Sequence, residues 1–208
     1  MSGCKESTGN EEHAADSRQD EKQGEIEKAI ERLKFDTGKS IRYLTKRKRF
    51  FDNWHYFLVA TTALSGSSAF FSLLSSNGAT LPATILTGIV AVASAVDLAI
   101  NFSRKSHLYD SLQRRFTDLL SKAIRVDEPT EKNLKELEIE RLEIEKDEPP
   151  TLVALEIFCR NEELQAQGMN EHMVEFDWFH RLFMHWWSFD GWGNDIAKRN
   201  KEKEKDDK

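Results

Sequence analysis

Cysteine is almost absent. Cys4 and Cys159 are the only two, which excludes a disulfide scaffold and leaves no cysteine spacing suited to zinc. Catalytic signatures are missing as well: there is no Gly-rich phosphate loop, no Gly-x-Ser-x-Gly elbow and no His-Glu-x-x-His pair, so no enzyme activity and no cofactor are expected. His180 and His185 stand five apart, about 140° around a helix, whereas a two-histidine helical metal site uses a spacing of four; no metal is expected. No segment alternates apolar and polar residues for long enough to make a sheet, and the expected class is all-α. The first 50 residues lack an apolar core of the kind a secretory signal needs. The net charge of −6 argues against a nucleic-acid partner.

What the chain does have is two uncharged or nearly uncharged apolar stretches, 54–74 and 81–102, set in an otherwise hydrophilic sequence. Each is long enough, as a helix, to cover the roughly 30 Å hydrocarbon core of a bilayer. Only the small and polar residues Ser75 to Thr80 separate them, so the pair reads as a transmembrane helical hairpin. Lys46, Arg47, Lys48 and Arg49 precede the first stretch, Arg104 and Lys105 follow the second, and the connecting loop has no charge. The positive-inside rule then places both termini in the cytoplasm, with a bacterial inner membrane expected. Trp54 and Tyr56 form an interfacial aromatic belt. Cys159 reads as a small core residue. Cys4 is far from the apolar stretches in sequence and follows Met-Ser-Gly, a poor lipidation signal.

The remainder divides by composition. Residues 1–24 form a polar tail with no apolar periodicity, expected to be disordered. Residues 25–53 carry Ile26, Ala29, Ile30, Leu33, Ile41 and Leu44 at helical spacing, with an interruption around Thr37-Gly38, and make a basic cytoplasmic helical segment. Residues 103–193 form a cytoplasmic helical domain. It begins with the stripe Tyr109, Leu112, Phe116, Leu119 and Ala123, expected to continue the second membrane helix. Glu128-Pro129-Thr130 breaks the chain, Thr130 serves as the N-cap of a charged helix to about Lys146, and Asp147-Glu148-Pro149-Pro150 ends it. A further helix over 151–167 stops at Gly168. Residues 194–208 are a charged tail, also expected to be disordered.

Three features of the hairpin bear on function. Thr61, Ser65, Ser68, Ser72 and Ser75 line one face of the first span. Such a stripe suits close helix packing, or a wettable wall when several hairpins assemble into a pore. Thr84, Gly88, Ala91 and Ala95 give the second span a matching small-residue face for packing within or between chains. Asp97 is the only ionisable residue well inside either span, about 7 Å from its cytoplasmic end. It is a candidate inner-mouth carboxylate, with Thr61, Thr62, His55 and Asn101 as possible hydrogen-bond partners, or an interfacial acid reaching water. A fourth feature lies downstream: Phe176, Trp178, Phe179, Phe183, Trp186, Trp187, Phe189 and Trp192 crowd one segment. Phe179, Phe183 and Trp186 share a helical face that suits either a core or a bilayer interface.

The basic helix 42–49, the hairpin with its very short loop, the helical extension that follows, and the stretches 51–56, 103–105, 145–150 and 161–162 together resemble the SLATT group of prokaryotic two-span proteins. That resemblance implies a membrane effector of a bacterial or phage conflict system, forming pores or disturbing the bilayer when a separate cytoplasmic sensor protein signals. It brings no catalytic residues. The expectation is a homo-oligomeric, pore-forming or membrane-perturbing protein whose partner is the lipid bilayer. The alternative is a membrane-anchored helical interaction module or scaffold without pore activity.

Overall fold

Helix boundaries fall where local chemistry places them. In this computed structural model, which describes residues 7–65, 88, 90–92, 94–96, 98–169, 173–174, 176–189 and 191, five helices are α1 (Ser7–Ser65), α2 (Phe102–Ile124), α3 (Glu131–Glu145), α4 (Val153–Ala166) and α5 (Trp178–Phe183). The described residues between 88 and 100 are helical too, and no strand occurs among the described residues. The chain is all-α.

α3 starts where the Thr130 hydroxyl accepts the Asn133 backbone N–H at 3.2 Å, the N-cap expected from the sequence. α4 stops in a Schellman arrangement. Gly168 takes φ +76°, its N–H donates to the Gln165 carbonyl at 3.1 Å, and the Met169 N–H donates to the Leu164 carbonyl at 2.9 Å.

Three expectations are corrected. First, α1 begins at Ser7, inside the stretch expected to be a disordered tail. Second, α1 continues through Thr37-Gly38 without interruption. The Thr37 hydroxyl is buried and donates to the Leu33 carbonyl one turn back at 2.7 Å, sharing that acceptor with the helical backbone bond, so the side chain is satisfied without ending the helix. Gly38 is a clearance: a Cβ there would stand 2.9 Å from the Glu163 carboxylate, which reaches over it to Arg42. Third, α2 does not continue the helical residues before it. Asn101 intervenes at φ 54°, a left-handed conformation that asparagine tolerates better than most residues. Its side-chain oxygen accepts the Arg104 N–H at 3.3 Å and its carbonyl accepts the Lys105 N–H at 3.1 Å, so Asn101 restarts the helix as a cap.

The chain separates into two compact units, one formed by Met1–Arg42 with Leu112–Lys208 and the other by Tyr43–Ser111. These limits differ from the composition changes near residues 53 and 103, because the basic stretch ahead of residue 54 packs with the start of α2. In the first unit the helical stripe is wholly consumed: Leu112, Phe116, Leu119 and Ala123 are buried, with Leu33, Ile144, Leu155 and Cys159. Each Leu, Ile or Phe side chain among them contributes about 1.5–3 kcal/mol on burial. Ion pairs connect the helices around this core: Lys39 with Glu156 at 3.0 Å, Arg42 with Glu163 at 2.7 Å and Arg141 with Asp36 at 3.2 Å, while Arg141 also pairs with Glu145 of its own helix at 2.7 Å.

Candidate functional site

The foot of the two apolar stretches lies in the Tyr43–Ser111 unit and is built from one turn-spaced set on α1 and another on α2. Phe51 is buried and stacks on Tyr109 with ring centres 5.4 Å apart, while Phe102 packs against Phe51 at 5.9 Å and against Trp54 at 6.4 Å. Arg47 lays its guanidinium over the Phe51 ring at 4.7 Å and within 5.5 Å of Phe50 and Tyr109. That geometry is a cation–π contact. Lys48 pairs with Asp110 at 2.5 Å, and the buried Ser106 hydroxyl donates to Asp52. The result is an aromatic collar with charges threaded through it, fixing the end of the basic segment against the start of α2.

The six basic residues expected to set topology therefore divide, Lys46 being half-buried. Arg47 and Lys48 are engaged in the collar, and Lys105 extends over Phe51 with its ammonium 5.7 Å from the ring centre. Arg49 and Arg104 are exposed. Nothing in the sequence pairs Lys48 with Asp110, 62 positions away on another helix.

Above the collar the described side chains change character. Tyr56, Phe57, Val59, Val92, Val96 and Leu98 are all large, apolar and exposed, Leu98 to 86%. Thr61 and Thr62 turn their hydroxyls onto their own helix, Thr61 donating to the Phe57 carbonyl at 2.8 Å and Thr62 to that of Leu58. Of the stripe predicted from the sequence, Ser65 is the last residue of α1, and Ser68, Ser72 and Ser75 lie outside the described residues. Thr84 and Asp97 lie outside them as well, and so does any pairing of Asp97 with His55 or Asn101. Gly88, Ala91 and Ala95 are exposed, and a Cβ built at Gly88 meets nothing within 4 Å. Among the described residues no helix is long and apolar enough to cross a membrane.

The first unit holds a polar groove of about 490 Å³ between α2 and α3, lined by Arg115, Asp118, Lys122, Arg125, Glu140 and Glu143. Within it Lys122 pairs with Glu140 at 2.7 Å, and Arg115 reaches Asp147 at 2.5 Å. Two groups nearby have shifted acidities. Burial, then repulsion by Glu145 and Glu156, raises the Glu148 carboxyl above the usual range, against the opposing pull of Lys39 and Arg141. Burial opposes the charge on Arg141, but its bonds to Glu145 and Asp36 outweigh this and raise it. Among the described residues no group of three or more His, Cys, Asp or Glu side chains is arranged to hold a metal ion.

The aromatic segment departs from a core arrangement. Phe179, Phe183 and Trp186, the face that suited core packing, are 44%, 38% and 55% exposed, and the buried residue of the segment is Met184. Trp192 lies outside the described residues. No family model, no curated protein and no solved structure matches this chain.

Proposed function

We propose that the chain is an integral membrane protein, a two-span helical hairpin with both termini in the cytoplasm, acting as an oligomeric pore-forming or membrane-perturbing effector driven through its cytoplasmic helices. The observation that carries the membrane reading is the sharp change at the collar. Below it, charges are paired and stacked on rings; beyond it, Phe57, Val59, Val92 and Leu98 present large apolar side chains outward, an arrangement that water penalises and lipid rewards. The effector reading is supported by the Thr/Ser stripe, by the small-residue face left open at Gly88, Ala91 and Ala95, and by the resemblance to the SLATT group.

A second reading, a membrane-anchored helical interaction module, has its own support. The Thr61 and Thr62 hydroxyls satisfy carbonyls of their own helix, which is how polar residues sit in a helix that lines no water. The test is to induce the protein in a bacterium, follow uptake of an impermeant dye, and compare a variant with Thr61, Ser65 and Ser68 all changed to leucine and confirmed to insert. Dye uptake that the variant abolishes is the result expected of an effector. Equal uptake in both would reject that polar face as the working surface, and intact cells at full expression and insertion would favour the anchored module.

A further inference from the structure

The aromatic segment after α4 is tied down at both ends and leaves most of its largest apolar groups exposed. At its start, Asn161 is buried and grips the backbone of Val174 twice, accepting the Val174 N–H at 3.0 Å and donating its amide to the Val174 carbonyl at 2.6 Å. Phe176 then packs edge-on against Phe158 at 5.5 Å, and the Arg181 guanidinium lies 5.8 Å from the same Phe158 ring. At its end the Ser188 carbonyl accepts the Ala154 N–H at 3.3 Å, and Met184 is buried. Between these fixings Trp178 and Trp187 are each 71% exposed, Leu182 60% and Trp186 55%.

We infer that this strapped segment, Trp178 to Trp187, is a second membrane contact that docks at the headgroup level of the bilayer entered by the hairpin. The inference rests on the membrane reading above, and three observations select lipid over another protein. The chain itself carries two bilayer-length apolar stretches, so the segment is tethered near a bilayer and a modest affinity is enough to keep it there. Three of its four most exposed groups are tryptophans, whose rings enter the acyl boundary while the indole N–H stays with headgroups and water. Its one regular element is a six-residue helix followed by a turn and a non-helical stretch, too short to act as a groove-binding helix with a repeating face for a protein partner.

The experiment uses the full chain with Cys4→Ser, the buried Cys159 being inaccessible to label. Single cysteines replace Leu182, Trp187 or, as the insertion control, Val59; each carries a nitroxide, and the protein is reconstituted in vesicles of phosphatidylethanolamine and phosphatidylglycerol. Collision of the nitroxide with oxygen, which concentrates in lipid, is compared with collision with a water-soluble nickel chelate. Docking predicts a several-fold excess of oxygen over chelate collisions at 182 and 187, and a larger excess at 59. Oxygen preference at 59 with chelate preference at 182 and 187 would overturn docking and leave insertion standing. Chelate preference at 59 would overturn the membrane reading and docking with it. Exclusion of both reagents at 182 and 187 with dipolar broadening between copies would assign the face to self-association instead, and also overturns the inference.

Discussion

In the unit built from Met1–Arg42 and Leu112–Lys208, the fully buried side chains are chiefly Phe116, Leu112, Leu119, Ile144, Leu155 and Cys159, with ion pairs such as Arg42–Glu163 and Arg141–Asp36 arranged about them. In the Tyr43–Ser111 unit the packing is aromatic, and Arg47, Lys48, Asp52 and Asp110 enter it. One unit draws its stability from apolar volume; the other combines ring packing with charges that need specific partners. Under the membrane reading proposed above, the collar meets a bilayer surface, and such a region has reason for the second design. Aromatic rings tolerate both lipid and water, and an Arg stacked on them keeps its charge at that level without being fully desolvated.

Truncation in the aliphatic unit is the strongest way to test this contrast. Phe116→Ala removes a completely buried ring and is expected to cost about 3–5 kcal/mol, measured as a shift in the urea midpoint followed by helical circular dichroism of the purified chain. In the collar, Asp52→Ala takes the acceptor from the buried Ser106 hydroxyl, with an expected loss of about 1–3 kcal/mol in the same assay. A collar variant costing as much as Phe116→Ala would erase the distinction between the units.

The smallest effect is a gain. Glu148 has its folded-state acidity weakened by burial and by Glu145 and Glu156, so above the ordinary carboxylate range the folded chain holds its proton longer than the unfolded chain. Stability from this group therefore falls as pH rises through that window. Glu148→Gln should raise the thermal midpoint at neutral pH, and the advantage should vanish below the ordinary carboxylate range, where both forms are uncharged. A thermal series over pH that shows a constant difference would assign the gain to packing instead.

Much of the helical plan was legible before the structure. Thr130 announced a helix start because its hydroxyl needs only a neighbouring N–H, and Gly168 announced a stop because it alone there adopts a positive φ without strain. The stripe from Leu112 to Ala123 was legible because burial of one helical face imposes a period of 3.6 residues. The polar stripe on the first apolar stretch is also sequence information, and most of it, with Asp97, lies outside the described residues. The exposure of the aromatic segment was not legible, since a helical face of Phe and Trp has one pattern for two surroundings.

The sequence by itself determined the helical class, the caps at Thr130 and Gly168, the buried stripe and the concentration of apolar residues into two stretches, because each depends on neighbours within a turn or two along the chain. Tertiary structure alone decided that Gly38 is a clearance under Glu163, that Lys48 meets Asp110, that Arg42 meets Glu163, and that the aromatic strap is pinned with its tryptophans outward. The partners in the two ion pairs stand 62 and 121 positions apart. No local propensity encodes such a meeting; it follows only once the faces of separate helices are brought together by burying their apolar sides.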